Sequence, residues 1–228
     1  IQDLKLVIDA ALTRGEGGRI PKKVNMNGYE PQHGMTCVMN PTEDTIDRFG
    51  QPFYDKISKD SVLSKVFFPV SPEGYHVTLI GMEYAKVQFS GQSVEKIYGE
   101  LEASQKYLDR QFPNTVCFYA KQGNNKRGPG LEMTPNTTSL RNKCRTAEKQ
   151  MKYKLGINKK YPQNWHMTLG YFRPDIYGKQ RDAYTRQIED IVDGLMNSND
   201  SNRSSIPLTF YSPVICTYND HTRYNPLF

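Results

Sequence analysis

Apolar positions recur along this chain with two spacings. "DLKLVIDAALTR" (Asp3–Arg14) repeats every three to four residues, as an amphipathic helix does, and runs into the glycine cluster Gly15–Gly18. The same spacing predicts three long helices. One spans Ser93–Phe112, with Ser93 as N-cap and Val94, Ile97, Leu101 and Leu108 in its stripe; the others span Thr137–Gly156, with Gly156 as C-cap, and Lys179–Asn197. Alternation and β-branched content predict strands at Gly34–Asn40, Lys65–Val70, "YHVTLIGM" (Tyr75–Met82), Thr115–Gln122, "LEMTP" (Leu131–Pro135), "WHMTLGYF" (Trp165–Phe172), "IPLTFYSP" (Ile206–Pro213) and "VICTYND" (Val214–Asp220). Thr45–Asp60 reads as short helical turns broken at Gly50 and Pro52, and Gly123–Gly130 as a basic, glycine-rich loop. No low-complexity linker separates independent domains, so residues 1–228 are expected to form one domain with an N-terminal helical extension over about residues 1–20.

Within this pattern two strands stand out. His76-Val77-Thr78-Leu79 and His166-Met167-Thr168-Leu169 follow an aromatic residue (Tyr75, Trp165), precede a glycine (Gly81, Gly170) and use two of the four histidines. Residues i and i+2 of a strand share a face, so each motif offers an imidazole beside a hydroxyl, with apolar anchors behind. The elements between them suggest a duplicated α+β unit. If the two strands lie side by side, the four polar groups meet in one place. That set suits phosphodiester chemistry: one imidazole takes a proton from the attacking oxygen, the other supplies one to the leaving oxygen, and the hydroxyls donate to non-bridging oxygens.

Composition narrows the picture further. A chain of 228 residues that is 37% hydrophobic and 11% aromatic is not disordered, and no stretch reaches the length of a membrane span. The net charge of +6 and a pI of about 9.0 suit either an anionic partner or plain solubility. Cys37, Cys117, Cys144 and Cys216 are scattered without a CxxC pair, which argues against a zinc site and leaves disulfides or free thiols open. Together with the start at Ile1 and the sequons at Asn136, Asn199 and Asn202, they lean towards export, with a cytoplasmic chain as the alternative. No metal or other cofactor is expected.

The paired motifs resemble those of the 2H phosphoesterases, a superfamily named for two His-x-Thr/Ser motifs. A closer resemblance is to its poorly characterised fungal and bacterial branch, through His33–Thr36 ("HGMT"), Phe67–Thr78 and the ending Tyr218–Leu227. The resemblance implies two lobes, each an antiparallel sheet with helices outside, around a pseudo-two-fold cleft that holds His76, Thr78, His166 and Thr168. It also implies 2′,3′-cyclic phosphates, 2′–5′ linkages, RNA ends or cyclic phosphates of ADP-ribose as substrates.

Around the motifs, Tyr171, Phe172, Tyr218 and Phe53 are candidates for stacking on a base, and Arg173, Lys121, Lys126 and Arg127 for phosphate contacts. Tyr75 and Trp165 alternate with the histidine faces and belong in the core. His33 and His221 read as ordinary surface or turn histidines. The expectation is a monomeric, metal-independent phosphodiesterase acting on a nucleotide or RNA end. The alternatives are a non-catalytic binder of the same ligands and a ligase or cyclase running the reverse chemistry.

Overall fold

The computed structural model describes residues 2–13, 23–82, 91–123, 129–157, 164–197 and 205–228. It is an α+β fold built on two four-stranded antiparallel sheets. Helix α1 (Gln2–Thr13) lies against the first sheet. That sheet has the order β10-β9-β1-β3, with β1 Gly34–Met39, β3 Val77–Gly81, β9 Val214–Tyr218 and β10 Asn225–Pro226. The second has the order β6-β5-β4-β8, with β4 Thr115–Gly123, β5 Gly130–Pro135, β6 Trp165–Thr168 and β8 Ile206–Tyr211. Both motif strands are therefore edge strands of their own sheets, and the edges β3 and β6 pack against each other.

A short ribbon ties the two edges together. β2 (Phe67–Pro69) pairs antiparallel with β7 (Gly170–Phe172), and Val70 N donates to Leu169 O at 2.9 Å. The chain leaving the second motif is thereby bonded to the chain entering the first. "WHMTLGYF" is thus two strands, broken at Leu169 because β7 leaves its sheet to join β2. The expected strand Lys65–Val70 shrinks to β2, since α4 (Leu63–Val66) turns helically just before it.

Local chemistry accounts for the helices. α5 (Val94–Gln111) is capped by Ser93, whose hydroxyl accepts from Lys96 N, and α6 (Thr138–Leu155) by Thr137, which accepts from Leu140 N. α6 ends on Gly156 in the left-handed conformation, φ 55°, and buries Leu140, Cys144, Ala147, Met151 and Leu155 along one stripe. α7 (Gly178–Asn197) packs on α3 (Gln51–Lys59) and touches β4. The breaks expected at Gly50 and Pro52 do not occur: α2 (Glu43–Thr45) runs through a π-helical turn, Ile46–Gly50, into α3. Pro52 sits in the first turn of α3, where its missing N–H costs little.

One apolar core serves both sheets, joining Cys37, Leu79 and Ile80 of the first to Phe118, Leu131 and Met167 of the second. All four cysteines are free thiols. No described helix is long and apolar enough to cross a membrane.

Candidate functional site

Alternation places the motif side chains as expected. Tyr75, Val77 and Leu79 are buried, as are Trp165, Met167 and Leu169, while His76, Thr78, His166 and Thr168 are half-buried on the opposite faces. The first ladder begins at Val77, so His76 sits just ahead of it. The β1–β3 register shifts between Cys37 and Val38, which leaves Leu79 as an extra residue next to Thr78. This bulge lets Leu79 and Ile80 both face the core without turning Thr78 inward.

His76 is fixed on two sides. Its Nδ1–H donates to the Gly74 carbonyl at 2.9 Å, and its ring lies 4.1 Å from that of Tyr224. A carbonyl can only accept, so Nε2 carries the lone pair in the neutral ring. Burial pushes the pKa of His76 down to about 4. The bond to Gly74 partly offsets this, and the charges of Lys23 and His166 add to the depression. The two motif imidazoles are thus close enough to act on each other. On the other side, His166 stands opposite Glu132 in the β5–β6 ladder, and Glu132 opposite Lys121 in β4–β5. Residues so paired share a face, which makes Glu132 the carboxylate beside the second motif.

Behind His76 lies a buried layer that the sequence did not suggest. His221 is 2% exposed; its Nε2–H donates to Gln32 Oε1 at 3.0 Å and its Nδ1 accepts from the Tyr224 hydroxyl at 3.3 Å. The expectation of a surface histidine is therefore corrected. The tail closes over the 3-10 turn Pro72–Gly74: Ser71 Oγ donates to Thr222 O at 2.9 Å, and a Cβ on Gly74 would lie 2.0 Å from that oxygen. Within the tail, Asp220 accepts from Thr222 N.

Burial, followed by the charges of Lys23 and His76, pushes the pKa of His221 down to about 3. In the unfolded chain the group titrates near its ordinary 6.5. Below pH 6.5 the unfolded chain thus binds more protons than the folded one, so stability is lost as the pH falls. The slope for one such histidine is up to about 1.4 kcal/mol per pH unit. Urea unfolding at pH 7 and pH 4.5 is expected to show a smaller acid loss for His221→Asn than for the parent. Equal losses would mean that His221 titrates normally in the folded protein.

The remaining candidates divide. Tyr171 is half-buried beside the motifs, where Lys23 Nζ donates to its hydroxyl at 3.1 Å and Tyr29 meets its ring edge-on at 6.0 Å. Tyr218 (1% exposed), Phe172 (8%) and Phe53 (0%) are buried and offer no face to a base. Phe172 packs on Phe67, and Tyr218 lies in a small core with Val38, Cys216 and Tyr224. Arg173 is held by Asp175 in two bonds of 2.6 and 2.9 Å, and Lys121 pairs with Glu132 at 3.3 Å. Lys126 and Arg127 lie outside the described residues. His33 bonds Asn219 at 3.0 Å ahead of β1. Beyond Tyr29 opens a pocket of about 340 Å³ lined by Tyr29, Tyr54, Phe67, Phe68, Ser58 and Ser64. Among the described residues, no group of three or more His, Cys, Asp or Glu could hold a metal ion.

No family model matches this chain, and no curated protein does. Among solved structures it is similar to a "conserved protein of unknown function" from Agrobacterium tumefaciens str. C58. The TM-score is 0.62 at 12% identity, over 91% of this chain and 90% of that one. At so low an identity the likeness establishes a common fold and carries no activity with it.

Proposed function

We propose that the chain is a 2H-type phosphodiesterase that hydrolyses a nucleotide cyclic phosphate, a 2′–5′ linkage or an RNA end by two-histidine acid–base catalysis. The two sheets are read as two lobes of one duplicated plan, each carrying its motif strand at the edge facing the other lobe. The observation that carries this reading is the packing of β3 on β6, with each motif's imidazole and hydroxyl outward and His166 acting on the titration of His76.

The roles follow from protonation. His76 is neutral near pH 7 with a bare Nε2, so it is the base. It takes a proton from water as the water oxygen bonds to phosphorus. The bond from phosphorus to the leaving ribose oxygen breaks, and His166 gives that oxygen its proton, leaving a phosphomonoester and a free hydroxyl. Thr78 and Thr168 donate to the non-bridging oxygens as charge builds on them. The aromatic pocket beyond Tyr29 is of a size to receive the nucleobase.

A base whose pKa is held at about 4 keeps working in mild acid. The acid limb of kcat/KM is therefore expected near pH 4, and most activity should persist at pH 5.5. A limb at 6.5 or above would contradict His76 as the base.

A further inference from the structure

Lys23 belongs to neither motif, and no spacing in the sequence singles it out. The fold nevertheless builds it into the site. Asn25 N bonds Gly28 O at 2.8 Å and Glu30 N bonds Lys23 O at 3.0 Å, closing a tight turn with Val24 bridged to Tyr29. Gly28 has a φ of 141° here, a conformation that other residues rarely adopt. The turn brings Lys23 and Tyr29 to Tyr171 from two directions: the ammonium bonds the phenol and lies 5.3 Å from its ring centre, and Tyr29 packs against the ring edge. Tyr29 is itself anchored through its hydroxyl to Phe68 O at 3.1 Å, on the ribbon joining the two motif strands.

Among the described residues, Lys23 has no carboxylate within ion-pair distance; its partner is a neutral phenol. His76 and His221 both feel its charge, and His166 acts on His76 in turn. Asp220, which acts on Tyr29, is engaged with Thr222. A half-buried ammonium among imidazoles, without a counter-anion among the described residues, is an unfavourable arrangement unless an anion completes it.

We propose that Lys23, held by Tyr171, is the cation that binds a non-bridging oxygen of the substrate phosphate. The proposal rests on the phosphodiesterase reading for the identity of the anion, but its test does not require turnover. The ammonium would fix the phosphoryl group beside Nε2 of His76, and its charge would help keep that imidazole neutral and ready to accept a proton.

The test is binding of inorganic phosphate, followed by calorimetry, with the His76 titration followed by imidazole NMR, in the parent, Lys23→Met, Lys23→Arg and Tyr171→Phe. Loss of a charge-assisted bond is expected to weaken phosphate binding by about 10–100-fold in Lys23→Met, with Lys23→Arg within about threefold of the parent and Tyr171→Phe between them. The His76 titration should move up in Lys23→Met and stay in place in Lys23→Arg. Phosphate affinity unchanged in Lys23→Met, or weakened as much in Lys23→Arg, would overturn the assignment. If the parent hydrolyses no diester yet loses phosphate binding with Lys23, the enzyme reading fails and the anion site stands.

Discussion

Alanine at His76 or at His166 is expected to lower turnover of a susceptible phosphodiester by about 10²–10⁴-fold, with the fold retained. Each ring is half-buried and projects from the face opposite the core anchors, so removing it leaves Val77, Leu79, Met167 and Leu169 in place. The two losses should differ in their pH dependence. Without His76 the acid limb that it sets near pH 4 disappears, while without His166 that limb remains on a much smaller rate. Single-turnover kinetics from pH 4 to pH 9, with circular dichroism of each variant, reads both effects. Full activity in either variant would remove that histidine from the mechanism.

A large structural effect is expected at Gly170. A Cβ there would lie 2.4 Å from Phe67 Cζ and 2.4 Å from Phe68 O. Neither can retreat cheaply: Phe67 is fully buried, and Phe68 belongs to the β2–β7 ribbon. Gly170→Ala is therefore expected to cost about 3 kcal/mol or more, beyond an ordinary overpacking change, because backbone and not a flexible side chain must move. It should also spread the motif strands and abolish activity before it unfolds the protein. Gly99→Ala on α5, with nothing within 4 Å of the added Cβ, is the control and should be stabilising by about 0.5–1 kcal/mol. Urea denaturation of the three proteins decides it. A Gly170→Ala protein as stable as the parent would mean that the ribbon is looser than its contacts imply.

What could be read from the sequence was local. Alternation around His76 and His166 gave the facing of the motif residues, Ser93 and Thr137 announced the starts of α5 and α6, and Gly156 the end of α6. What could not be read depends on long-range closure. His221 is buried because the tail folds back over Gly74 and beside β9, so that a residue near the end of the chain meets Gln32 near its beginning. Tyr218 looked like a base platform but is buried in a small core with Val38, Cys216 and Tyr224, where it crowds Gly34 so closely that a Cβ there would overlap its ring. Lys23 and Tyr29 reach Tyr171 through a turn whose one signal was Gly28, and a lone glycine between asparagine and tyrosine does not name its partner. Within "LEMTP" nothing marked Glu132, whose place opposite His166 required the β5–β6 register.

The central claim is that two histidines on adjoining sheet edges hydrolyse a phosphodiester. The most direct measurement is ³¹P NMR of a panel of 2′,3′-cyclic nucleotides, 2′–5′ oligoadenylate, cyclic dinucleotides and short RNAs, incubated in EDTA with the parent or with the His76→Ala/His166→Ala double variant. A new phosphomonoester resonance from at least one panel member with the parent, and none with the double variant, is the expected result. Its chemical shift would give the position of the product phosphate. Equal hydrolysis by both proteins, or none by the parent across the panel, would contradict the claim.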